Sequence, residues 1–220
     1  MCIRDRHKAE TTTATTVTES NSTQTTTPVA TDTTAPTEQL EHTDGKEITL
    51  PANDWNKGNL IVINKEHEYS FPIDDPVLSS IHENRNSSYS VSDHEVELET
   101  ETLEHLNEMM ADYEAETGFN GMEIFAGYRS SEDQESRYEN GNSDFHGGYS
   151  DYHTGRSFNL KIKFGDGTSD YYNAEKYPEY SWIAENAASY GFVVRYPEGK
   201  DDYTGDESRT YTFRYVGVPH

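Results

Sequence analysis

The sequence predicts an α+β domain behind a long polar tail. Three observations lead there. Apolar residues recur at helical spacing in some segments and at every second position in others; the two kinds of segment are mixed without a regular βαβ rhythm; and all 16 tyrosines and 8 phenylalanines follow Trp55, the first aromatic residue.

Residues 11–40 contain 14 threonines, interspersed with Ser, Pro and Ala. Such a segment buries too little apolar surface to offset its chain entropy, so 1–50 is expected to be a disordered Thr-rich tail or stalk and 51–220 the folded domain. The opening MCIRDR resembles translated adaptor sequence, which would put the true N-terminus outside this chain. The apolar run at 60–63, closed by Asn64 and Lys65, reads as a buried strand or extended entry segment. Leu103, Leu106, Met109, Met110 and Tyr113 mark one face of a helix, with Gly118 placed to cap its C-terminus. A strand is expected at 122–127, then a helix for which Ser131 and Gln134 have capping-box spacing. Phe158, Leu160, Ile162 and Phe164 alternate with Ser157, Asn159, Lys161 and Lys163, the pattern of a half-buried strand whose polar face carries Asn159. A helical stripe at 180–190 ends at Gly191 before the strand F-V-V-R-Y-P. A last strand sets Tyr211, Phe213 and Tyr215 against Thr212, Arg214 and Val216.

Charge narrows the function. With 17 Lys+Arg against 41 Asp+Glu, net −24, the field repels nucleic acid and anionic membrane surfaces. No run of about twenty apolar residues is present to span a membrane. Cys2 is the single cysteine, which excludes an intrachain disulfide or a thiolate metal cluster.

Several segments occur in an order that carries information: L-I-V-I-N-K at 60–65, G-Y-R-S-S-E-D-Q at 127–134, S-D-Y-H-T-G-R-S-F-N at 150–159, W-I-A-E-N-A-A-S-Y-G-F-V-V-R-Y-P-E-G-K at 182–200, T-G at 204–205 and F-R-Y-V-G at 213–217. Together they resemble the zinc D,D-carboxypeptidases of the vancomycin-resistance (VanY) type, which trim the terminal D-alanine from peptidoglycan stem peptides. The resemblance implies a hedgehog/DD-peptidase-like fold, a small antiparallel sheet flanked by helices, and a bacterial cell-surface setting.

It also implies a metal site that this sequence does not reproduce. The family pattern S-x-H-x-x-G-x-A-x-D supplies two zinc ligands, and E-x-W-H before F-R-Y-V-G supplies a general base and a third ligand. With Ser150 and Gly155 fixing the register, the ligand positions hold Tyr152 and Asn159; with F-R-Y-V-G fixing the other, Thr212 stands at the third ligand and Arg209 at the base. A phenol, an amide and an alcohol bind Zn²⁺ poorly and a guanidinium repels it, so no cofactor is expected. His153 lies one residue from the ligand position; with His146 and Asp144 or Asp151 it offers a rewired metal site as an alternative.

The family's pocket motif fares better, since Tyr128, Arg129, Ser130 and Gln134 match Y-R-S-x-x-x-Q. Arg129 is suited to a carboxylate, or else pairs with a nearby acid; Ser130 or Ser131 with Gln134 reads as a helix cap. Arg209 either occupies the vacated metal position beside Asn159 and Tyr152 or is a solvated residue near Asp206 and Glu207. The tyrosines could form a stacking surface or simply core. The leading expectation is a non-catalytic homologue that binds stem peptide or a surface protein; an active, rearranged zinc peptidase and a cell-surface spacer are the alternatives.

Overall fold

The computed structural model describes residues 58–71 and 76–218, so the expected tail and its boundary at residue 50 lie outside the described residues. Strand β1 (Leu78–Ser80) runs into the short helix α1 (Ile81–Asn84), followed by β2 (Ser90–Val91) and β3 (Glu97–Glu99). Helix α2 (Thr100–Thr117) ends at Gly118, whose φ of 71° is the left-handed conformation that glycine adopts without Cβ strain. Then come β4 (Met122–Ala126), α3 (Ser131–Glu139), β5 (Ser157–Lys163), β6 (Ser169–Tyr171), α4 (Trp182–Asn186), β7 (Phe192–Tyr196), α5 (Asp201–Thr204) and β8 (Arg209–Tyr215).

β1 and β3 form an antiparallel pair. The main sheet has six strands in the order β2-β4-β5-β8-β7, with β6 also on β5. Every pairing in it is antiparallel except β2 with β4, which is parallel.

One face of this sheet is the core. Leu103, Leu106, Met109, Met110 and Tyr113 of α2 cluster with Met122, Ile124, Phe158, Leu160, Ile162 and Phe213. Burying each such side chain contributes about 1.5–3 kcal/mol. Leu160 is fully enclosed; Leu160→Ala is therefore expected to cost about 2–5 kcal/mol, read from urea unfolding curves. A loss under about 1 kcal/mol would place it outside the core.

The opposite face is polar, and it departs from expectation. Asn159 is only 7% exposed and Ser157 is fully buried, so β5 is covered on both faces over its first half. The segment between α3 and β5 folds over it, and only Lys161 and Lys163 emerge at the far end. The period of two was right and the half-burial was not, because alternation does not reveal a loop that roofs the polar side.

Residues 60–63 take the second of their two expected forms, and residues 180–190 differ from theirs. Residues 60–63 form no strand: Leu60 is 63% exposed while Ile63 is buried. The segment is an extended entry: Arg195 Nη2 donates to the Ile63 oxygen at 2.8 Å, and just before it Arg156 Nη1 donates to the Gly58 oxygen at 3.0 Å. The helix expected over 180–190 is α4 followed by a tighter 3-10 turn at Ala187–Tyr190. Asn186 Nδ2 donates to the Trp182 carbonyl at 2.8 Å, a local side-chain bond of the kind that competes with a continuing helix.

Candidate ligand-binding site

The site is built on the polar face where β5 and β8 pair, Asn159 opposite Thr212. Tyr152 arrives from a 3-10 turn, Asp151–Thr154, that closes at Gly155 with φ 69°. A Cβ on Gly155 would sit 3.0 Å from the Glu99 nitrogen and from Leu78, so both backbone angle and close approach require glycine. The Tyr152 hydroxyl donates to Asn159 Oδ1 at 2.6 Å, and the Thr212 hydroxyl donates to the same oxygen at 2.9 Å. The three positions singled out as counterparts of metal ligands thus converge on one atom.

A buried charge cluster holds that turn. Asp151, 2% exposed, accepts from Arg214, from Ser157 and, at 3.1 Å, from Arg195. Burial alone would raise its carboxyl; Arg214 and Arg195, with the Ser157 hydroxyl, more than reverse this and hold it below the usual carboxylate range. In the sequence Asp151 suggests only a metal donor, and nothing local ties it to Arg195 or Arg214. The alternation that put Arg214 on Thr212's face was the available signal.

The pocket motif sorts into two roles. The Arg129 guanidinium lies 4.1 Å over the Tyr152 ring, and its Nη1 donates to Gln134 Oε1 at 3.2 Å. Among the described residues no carboxylate pairs with it, contrary to the expectation of a neighbouring acid. Burial lowers its pKa, and Arg137 and Arg209 push the same way, yet an arginine stays charged. Gln134 is not part of a cap. The N-cap lies one residue earlier, at Ser130: its Oγ accepts from the Asp133 N–H at 3.1 Å and donates to Asp133 Oδ2 at 2.8 Å. The fully buried Gln134 amide instead donates to Ser143 Oγ at 2.7 Å and to the Phe145 carbonyl at 2.8 Å, fixing the loop that walls the cavity.

Arg209 is not the solvated residue of one expectation, and it shares a cavity with Tyr152 and Asn159. It pairs with Asp206, and its guanidinium also lies 4.2 Å over Tyr196 and faces the cavity, with Nε buried and without a hydrogen-bond partner. The cavity it lines, about 340 Å³, is shared with Arg129, Tyr152, Asn159, Asp144 and Phe145. A second cleft of about 690 Å³ adjoins it at Arg129 and Asn159 and is lined in part by Tyr128. Ser130, Gln134 and Thr212 line neither; they hold the residues that do.

The two histidines do not assemble a site. His153 is buried, with Nδ1 bonded to the Arg129 carbonyl at 2.8 Å and Nε2 accepting from the Gly148 N–H at 2.9 Å, so both nitrogens are engaged. Burial pushes its pKa below the ordinary imidazole value, which matches a neutral ring with an accepting Nε2. His146 is exposed, bonded to Glu135 at 3.0 Å, with its ring tilted against that of Tyr138.

The profile of the VanY family, described as D-alanyl-D-alanine carboxypeptidase, matches residues 95–218, more than half of the chain. The chain belongs to the VanY family. A D-alanyl-D-alanine carboxypeptidase of Enterococcus faecium is 30% identical over 195 residues, covering 84% of this chain; the chain spans 61% of that relative's length. Among solved structures, the LdcB LD-carboxypeptidase superposes with a TM-score of 0.60 at 24% identity, covering 72% of this chain and 77% of the other. VanY from the VanB-type resistance cassette in complex with Zn(II) superposes at 0.52 and 19% identity, covering 73% and 89%. At these identities the likeness shows the fold: a VanY-type α+β domain.

Zinc does not suit the residues this member presents. The three positions that the sequence resemblance sets against the zinc ligands offer a phenol, an amide and an alcohol; the amide oxygen already accepts both hydroxyls, and a guanidinium borders them. Among the described residues no group of three or more His, Cys, Asp or Glu is placed to hold a metal ion.

Proposed function

We propose that this chain is a non-catalytic VanY-family protein that binds the carboxylate of a peptidoglycan stem peptide at the bacterial cell surface. One observation carries the reading: Arg129, largely buried and facing the cavity, has a neutral amide as its hydrogen-bond partner and, among the described residues, no carboxylate paired with it. A cation removed from water without a counterion is costly, and a ligand carboxylate would relieve that cost. Arg209, ion-paired with Asp206, lines the same cavity and stands where the resemblance places a general base. Two guanidiniums favour an anionic ligand group and give no base to activate water. The surface assignment rests on the family's action on peptidoglycan. Among the described residues no helix is long and apolar enough to cross a membrane.

The test is titration calorimetry with Nα-acetyl-L-Lys-D-Ala-D-Ala. Wild type is expected to bind without releasing D-alanine, and Arg129→Ala to weaken binding about ten- to a hundredfold, the contribution of a charge-assisted hydrogen bond. Zinc uptake with D-alanine release would overturn the non-catalytic reading. Unchanged affinity in Arg129→Ala would remove Arg129 from the site.

A further inference from the structure

Among the described residues three tyrosines are exposed: Tyr138, Tyr171 and Tyr203. The His146 ring tilts against Tyr138, and Lys200 Nζ lies 5.4 Å over Tyr203. Tyr171, 55% exposed at the end of β6, is held differently. Tyr211 of β8 stacks on it with ring centroids 4.5 Å apart and planes at 22°, and Phe125 of β4 stacks on it at 5.4 Å and 29°. The Tyr211 and Phe125 centroids are themselves 6.0 Å apart. Rings on opposite faces of Tyr171 would stand much farther apart than that, so both back the same face and the other is left open. Tyr171 and Tyr211 also line a cavity of about 260 Å³, together with Asn173, Glu198 and Ser208. Two cations border it, Lys176 and Arg209, each already ion-paired, with Asp170 and Asp206 respectively. Asn173 Oδ1 accepts from the Glu175 and Lys176 N–H groups, both at 2.9 Å, while its Nδ2 donates to nothing among the described residues.

We infer that this surface binds the ring of a neutral saccharide, its C–H face stacked on Tyr171 and its hydroxyls bonded by Asn173, Glu198 and Ser208. The inference goes beyond the peptide-binding reading and does not depend on it. An open aromatic face takes an apolar ring, a cation or a nucleobase. A net charge of −24 repels a nucleic acid. A cation would meet like charge, since Lys161 Nζ already lies 5.8 Å over Phe125 and Lys176 and Arg209 border the cavity. A pyranose ring fits what remains. One of its faces carries weakly positive C–H groups that meet the negative π face, and its edge carries hydroxyls, as the site is aromatic on its floor and polar at its rim. A proline ring would stack on the same floor but leave the rim unused. The shared chemistry has two sources, an acetamido glycan such as a wall strand and a neutral polysaccharide without acetamido groups.

The experiment is titration calorimetry on the full chain with chitotetraose and cellotetraose, β-linked neutral glycans with and without acetamido groups. Wild type is expected to bind; binding of chitotetraose alone assigns the site to acetamido glycans, and binding of cellotetraose as well assigns it to neutral glycans at large. Tyr171→Ala should weaken binding about five- to tenfold, and Tyr171→Phe, which keeps the ring, by less than about twofold. Because Tyr171 is exposed, thermal unfolding of the alanine variant should stay close to that of wild type. Its affinity for Nα-acetyl-L-Lys-D-Ala-D-Ala should be unchanged, so the saccharide and peptide readings fail separately. No binding of either glycan at millimolar concentration, or equal glycan binding by wild type and Tyr171→Ala, would overturn the inference. Binding of hexaproline or tetramethylammonium with neither glycan bound would show another occupant and overturn it too.

Discussion

Asp151→Ala is expected to destabilise the domain by about 3–5 kcal/mol, a large share of the 5–15 kcal/mol that keeps a domain folded. The reason is arithmetic of charge. Asp151 is the shared anion between Arg195 and Arg214, and Arg214 is itself 3% exposed with Nε lacking a hydrogen-bond partner. Deleting the carboxylate leaves two guanidiniums facing each other in a low-dielectric interior, each having lost its strongest acceptor. Asp151→Asn should come close to the same loss, because it preserves shape and removes the charge. The pH dependence follows in sign. The folded carboxyl lies below its unfolded value, so its contribution is whole above about pH 4 and is lost as pH falls through the depressed folded value. Urea unfolding at pH 7 and at pH 3 measures both effects. A loss under about 1 kcal/mol at pH 7 would mean the arginines find other counterions. Because Asp151 begins the turn that delivers Tyr152, the same variant should also loosen the site.

What the sequence made legible, and what it hid, divides along sequence distance. Helix α2 could be read from its apolar spacing and Gly118, and β5 and β8 from alternation, because those signals are local. The register of Tyr152, Asn159 and Thr212 came from motif landmarks on either side, and the structure brings the three side chains to one oxygen. Arg195 and Arg214 were hidden because their shared partner lies 44 and 63 residues away, with no local pattern to announce it. Gln134 was misread for the opposite reason: a local pattern, the capping box, fitted it at an offset of one residue, while its bonds run to Ser143 and Phe145 across the loop. Arg209 resisted a single reading because it serves two surroundings at once. Its charge is paired with the largely buried Asp206 carboxylate, while its guanidinium lines the cavity.

Restoring the family donors should restore metal binding. The variant Tyr152→His/Asn159→Asp/Thr212→His, with Arg209→Glu added, is expected to take up one zinc per chain, with affinity raised at least about a thousandfold over wild type. The geometry supports this directly: Asn159 and Thr212 are cross-strand partners, and the Tyr152 hydroxyl reaches Asn159 Oδ1 at 2.6 Å, so three new donors would start from positions already aimed at one point. An imidazole is shorter than a phenol, and the space it frees is about that of one Zn–N bond, ~2 Å. Arg209 must change as well, because its guanidinium on the cavity wall opposes a divalent cation; with Arg209 kept, the triple variant should bind zinc more weakly than the quadruple one. Removing it leaves Asp206 without its ion-pair partner and beside a new carboxylate, so the quadruple variant should also be less stable until metal is added. Zinc content after dialysis, with thermal unfolding with and without zinc, reads both effects. A quadruple variant that folds, by circular dichroism, and takes up no zinc would show that Tyr152, Asn159 and Thr212 are not the counterparts of the family's ligands.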